Sequence, residues 1–105
     1  RKVRRSGVAL GLVLRAACGP EGPAHPGKAT YTRYCFSCHQ SGVAGAPALG
    51  RAADWTDRIG KGREAMLAGV IDGIAPGMPP KGLCSDCSDA ELGAALDYML
   101  ESVAQ

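Results

Sequence analysis

Apolar positions recur at helical spacing in several stretches of the chain, and no stretch shows the strict alternation of a half-buried strand. The clearest run is the last. Leu92, Ala95, Leu96, Met99 and Val103 share one helix face, and Ser88-Asp89-Ala90-Glu91 ahead of them has the form of a capping box. A second run, from about Gly62 to Asp72, would bury Met66, Leu67, Val70 and Ile71. A short helical piece around Asp54 to Gly60 carries Trp55 and Ile59. Nearer the front, a helix from about Lys28 sets Tyr31, Tyr34, Cys35 and Cys38 at i, i+3, i+4 and i+7. Loops separate these runs. Gln40 to Arg51 is rich in glycine and small residues, and Ala75-Pro76-Gly77-Met78-Pro79-Pro80-Lys81-Gly82 holds too many prolines and glycines for a helix. The pattern predicts an all-α single domain of three to five helices.

The front of the chain is of another kind. Arg1-Lys2-Val3-Arg4-Arg5 followed by the apolar run Gly7 to Leu14 has the order of a secretory signal, and it is too short to span a bilayer. Ala16-Ala17-Cys18-Gly19 resembles a bacterial lipoprotein cleavage site, although Arg15 stands where such sites prefer an apolar residue. We expect residues 1–18 to be a targeting segment, 19–27 a Gly/Pro linker, and 28–105 the folded domain. Cys18 is either lipidated or part of a signal removed further on. Without residues 1–18 the charge reverses: Arg1, Lys2, Arg4, Arg5 and Arg15 go, leaving 7 basic against 10 acidic residues, net −3. Nucleic-acid binding would want a basic face, and none is left.

Cys35-Phe36-Ser37-Cys38-His39 is the most specific chemistry in the sequence. Two thiols three residues apart with an imidazole next to the second form the attachment motif of a c-type haem. In a helical turn these three positions share a face, so both sulfurs can bond the haem edge while His39 meets the iron. Random placement of 5 cysteines and 2 histidines in 105 residues gives about 0.004 such matches. The competing reading is a thiol pair on zinc or in a disulfide beside an unrelated histidine.

An iron held by one histidine has a second axial position. His25 lies in the Gly/Pro-rich stretch and reads as a linker residue; Met66 and Met99 lie on apolar helix faces and read as core. Met78 lies in the proline-rich loop, where an apolar side chain needs a surface to pack on. A thioether opposite imidazole raises the reduction potential, as in electron-carrying cytochromes. Met78 is therefore the expected second ligand. One covalent haem would also supply the apolar bulk that a chain this short and poor in aromatics lacks.

From Lys28 to Val103 the chain resembles a class I bacterial cytochrome c, most closely the short c₅-type group. Gly27 and Tyr31 stand eight and four residues before Cys35, and Tyr98 lies in the last helix; the resemblance implies that these three form the contact between terminal helices. It implies further that Pro47, in Ala46-Pro47-Ala48-Leu49-Gly50, accepts a hydrogen bond from the axial imidazole. Cys84 and Cys87, just past Met78-Pro79-Pro80-Lys81-Gly82, would form the local disulfide of the c₅ group. Four cysteines could instead make a zinc ribbon, but the interval from Cys38 to Cys84 is far too long and no strands are in view. A thioredoxin-like CxxC lacks its βαβ setting.

These readings describe a one-electron carrier rather than an enzyme, since protein ligands would fill both axial positions. It would be a periplasmic monomer, free or lipid-anchored, docking briefly with redox partners at a haem edge framed by Val43-Ala44-Gly45-Ala46 and Met78-Pro79-Pro80. Trp55 either donates to a haem propionate or packs in its helix; Arg51, Arg58 and Lys61 read as solvated. The alternative is a haem subunit of a larger enzyme, or a sensor in which Met78 leaves the iron.

Overall fold

The computed structural model describes residues 22–104, together with Gly7 and Gly11. Cys18 and, apart from those two glycines, the rest of the expected targeting segment lie outside the described residues. Five helices follow in order: α1 (Lys28–Tyr34), α2 (Phe36–His39), α3 (Ala52–Gly60), α4 (Arg63–Asp72) and α5 (Asp89–Val103), with one 3₁₀ turn at Val43–Gly45. Among the described residues no strand forms; a single bridge joins Ile74 to Met78. No described helix is long and apolar enough to cross a membrane.

The 15-residue α5 is the spine of the domain. Leu92, Ala95, Leu96 and Met99 are buried along it, and Val103 is half-buried at its end. Ser88 caps it by accepting the Glu91 backbone N–H at 3.1 Å. The Glu91 carboxylate reaches back as the motif predicts, but it accepts from the Ser88 hydroxyl, at 3.1 Å.

Against this spine α1 lies very close, and Gly27 is the reason. A Cβ there would sit 1.8 Å from the Ala94 carbonyl oxygen, so no side chain fits. One turn on, the buried Tyr31 ring packs tilted on Tyr98, with centroids 5.1 Å apart. The three residues meet at the seam of the terminal helices, where the resemblance puts them. His25, expected in the linker, also belongs to this seam. Its Nδ1 accepts from the Gly27 N–H at 3.0 Å and its Nε2 lies 3.0 Å from a Glu101 carboxylate oxygen. Its ring tilts on Tyr98.

The remaining helices wrap the other side of α5. Trp55 is the buried residue of α3, whereas Ile59 faces out. Met66, Leu67, Val70 and Ile71 of α4 are half-buried rather than enclosed, because part of that face opens on a cavity. Arg63 clamps α4 to α5 through a two-pronged contact with Asp97, at 2.7 and 3.0 Å. Gly73 stops α4 in left-handed backbone (φ 79°), and a Cβ there would meet the Pro80 nitrogen at 2.7 Å. Close beyond this turn, the sulfurs of Cys84 and Cys87 stand 2.03 Å apart, and Leu67, Val70, Ile71 and Leu92 pack around them.

Candidate functional site

The helix that starts at Lys28 does not run unbroken into the cysteine motif. Cys35 (φ −119°) ends α1 and begins α2, a single turn. Backbone bonds from His39 and Cys38 to the Cys35 carbonyl, at 3.0 and 3.3 Å, keep the turn helical enough for all three side chains to share one side. Cys35 and Cys38 are free thiols, both half-buried. They line a cavity of about 600 Å³ together with the buried His39 and with Met78, a volume suited to a cofactor. Burial pushes the Cys35 thiol up, and the Cys38 sulfur beside it adds to the effect.

His39 is oriented from behind. Its Nδ1 lies 2.9 Å from the Pro47 carbonyl, which can only accept, so Nδ1 is the donor and Nε2 is the nitrogen left to bind a metal. The loop carrying Pro47 is itself tied down on both sides. Leu49 N–H donates to the His39 carbonyl at 2.9 Å, and Ala48 N–H donates to the Asp54 carboxylate at 3.2 Å. The buried indole of Trp55 donates to the Ala48 carbonyl at 2.9 Å. Trp55 is thus a packed helix residue whose N–H is engaged. Its link to Ala48 has no sequence signal, since the partners are brought together only by the fold.

Met78 faces the same cavity from a loop pinned at its neck. Ile74 and Met78 exchange backbone hydrogen bonds at 2.8 and 2.9 Å. At the tip, Gly77 lies so near the Val43–Pro47 loop that a Cβ would be 3.0 Å from the Ala44 carbonyl oxygen. The two loops expected to frame the opening do meet there. Met66 and Met99 line the cavity too, which the periodicity of their helices does not reveal. They belong to the cluster around Tyr31, Trp55 and Leu96. Arg51 and Arg58 bind backbone carbonyls of Ser41 and Asp54. The four cysteines do not converge: among the described residues, no three His, Cys, Asp or Glu side chains are grouped to hold a metal ion. Two free thiols, an imidazole and a thioether around an apolar hollow are a donor set that fits a covalent, iron-centred macrocycle.

Comparison with known proteins points the same way. The family described as cytochrome c oxidase, cbb3-type, subunit III matches residues 22–99. Cytochrome c5 of Ectopseudomonas mendocina is 46% identical over 69 residues, covering 64% of this chain and 78% of that protein. Cytochrome c5 of Azotobacter vinelandii is 41% identical over 80 residues, covering 74% and 95%. A chain of the crystallised electron transfer complex of nitrite reductase with cytochrome c superposes with a TM-score of 0.69 at 38% identity, over 74% of this chain and 94% of that one.

Proposed function

The chain belongs to the class I c-type cytochromes, within the c5 group, and from that premise we propose how its residues divide the work of an electron carrier. It carries one covalently bound haem c and is an electron-transfer protein rather than an enzyme. Cys35 and Cys38 would hold the haem through thioethers, and His39 and Met78 would ligate its iron. When bound, the haem iron supplies a one-electron couple. Everything else is done by the chain. The Pro47 carbonyl holds the His39 tautomer and raises the basicity of Nε2. The Ile74–Met78 bridge limits how far the thioether can travel. The apolar walls exclude water, which keeps the two oxidation states close in structure.

The observation that carries this reading is the meeting of two free thiols, a buried imidazole and a loop methionine around one cavity. A Cys84–Cys87 disulfide braces the link from the methionine loop to α5. Disulfide chemistry and a secretory-type front end suit the periplasm, with Cys18 as the atom of lipid attachment or part of a removed signal. Partners are redox proteins that touch briefly at the cavity mouth, where Val43 and Ile74 are both more than half exposed. A related cytochrome c is found in complex with nitrite reductase, a precedent for a redox enzyme as partner. The name of the matching family makes a haem subunit of an oxidase the second reading. The c5 relatives, of whose lengths this chain covers 78% and 95%, favour a carrier over an oxidase subunit.

Three methionines line the cavity, so the ligand can be tested by comparing them. In Met78→Ala the ferric protein should lose its methionine–iron charge-transfer absorption, and its potential should fall by on the order of 100 mV. Met66→Leu and Met99→Leu should keep the absorption. Its survival in Met78→Ala would end the assignment.

A further inference from the structure

We propose that Lys81 is a positioning residue for the methionine loop: its side chain ties the exit of that loop to the start of α5, and so resists departure of Met78 from the iron. The proposal rests on Met78 as ligand. Lys81 stands in left-handed backbone (φ 61°), a conformation disfavoured for any residue with a Cβ. Gly82 beside it shares the conformation, and glycine would serve the turn at position 81 equally well. The side chain therefore has another use. Its ammonium donates to the Cys87 carbonyl at 3.3 Å, one residue before the Ser88 cap, and among the described residues it makes no ion pair.

The backbone of Lys81 is engaged as well. Its N–H donates at 2.8 Å to the Val70 carbonyl, one of those that α4 leaves open in its last turn, and its own carbonyl accepts from Cys84 at 3.1 Å. Lys81 thus joins α4 to the Cys84–Cys87 segment that leads into α5, and it lines the cavity. Between it and Met78 stand only Pro79 and Pro80, whose fixed φ leaves little slack. Movement of Met78 away from the cavity must move Lys81, and the Cys87 bond opposes that movement.

The test titrates the ferric holoprotein with imidazole, which competes with the thioether, and reads loss of the methionine–iron absorption. Lys81→Met keeps the aliphatic stem without the donor, Lys81→Gly also relieves the left-handed backbone, and Lys81→Arg keeps a donor. Lys81→Met and Lys81→Gly should bind imidazole about tenfold more tightly than the wild type, the effect of one lost charge-assisted hydrogen bond. Lys81→Arg should stay within about threefold. Relief of the left-handed strain should hold the Lys81→Gly melting midpoint within about 5 °C of the wild type, so its looser loop is not a looser fold. Wild-type affinity in both Lys81→Met and Lys81→Gly would overturn the proposal. So would an affinity gain matched by a falling midpoint in each variant. If Lys81→Met does not accumulate, Lys81→Gly and Lys81→Arg carry the comparison. A wild-type protein without the absorption overturns the Met78 assignment, and this proposal with it.

Discussion

The orientation of His39 is settled two residues away from it, by a short relay through the loop behind the ring. The Trp55 N–H holds the Ala48 carbonyl, and the neighbouring Pro47 carbonyl holds His39 Nδ1. Removing the indole donor takes one of two hydrogen bonds from the Ala48 carbonyl, which keeps the Arg51 N–H at 3.1 Å. Trp55→Phe should therefore cost about 0.5–1.5 kcal/mol in denaturant unfolding of the holoprotein. It should also raise the potential, because a looser Pro47 carbonyl leaves the imidazole a weaker donor that favours the ferric iron less. An unchanged potential with the stability loss present would confine Trp55 to packing. Legibility differs sharply at this scale. The cysteines and His39 are readable because their chemistry is set by spacing along the chain. Pro47 is readable only through family resemblance. The indole–Ala48 bond, the Lys81 ammonium and the His25–Glu101 contact join residues that only the folded chain brings together, and no local pattern announces them.

At the scale of elements, the terminal helices set the architecture. Gly27 packs backbone against backbone at Ala94, and neither side can retreat without parting α1 from α5. Gly27→Ala should destabilise the holoprotein by about 2–4 kcal/mol, read from the denaturation midpoint, or prevent its accumulation. A variant as stable as the wild type would mean that the seam is looser than it stands. The Arg63–Asp97 clamp joins α4 to α5 and makes a smaller, pH-dependent contribution. The Asp97 carboxyl is held below the usual carboxylate range chiefly by the hydrogen bond from Arg63, against an opposing effect of burial. A depressed carboxylate stabilises the fold above its unfolded pKa, and that stability fades as pH falls through the folded value. Both side chains are nearly half exposed, so solvent screens most of the effect. Acidification through that range should lower the melting midpoint a few degrees more in the wild type than in Asp97→Asn; equal slopes would remove the clamp from the account. The capped, amphipathic α5 is fully legible in the sequence. The face of α4 is legible as apolar, but its half-open burial is not, because the missing neighbour is a cofactor rather than another helix.

At the scale of the whole molecule, the side chains of the described residues close two small buried clusters, one around Tyr31, Trp55, Leu96 and Met99, the other around the Cys84–Cys87 pair and Leu92. Between them lies the cavity, lined by residues of both. A chain of this length cannot close an apolar core around such a hollow from its own side chains. Covalently held haem fits the space and completes the core, which makes cofactor and fold parts of one interior. That a cofactor was needed is readable from length, composition and the paired thiols. Its position within the fold is not, because the walls are drawn from all five helices and two loops far apart in sequence.

Covalent haem is decided by the intact mass of the mature protein, purified from a host that attaches haem, read together with its visible spectrum. The protein should be coloured and heavier than its polypeptide by one haem, with the added mass retained on denaturation and lost when Cys35 and Cys38 are both replaced by serine. Colourless protein with only the mass of its amino acids would contradict it.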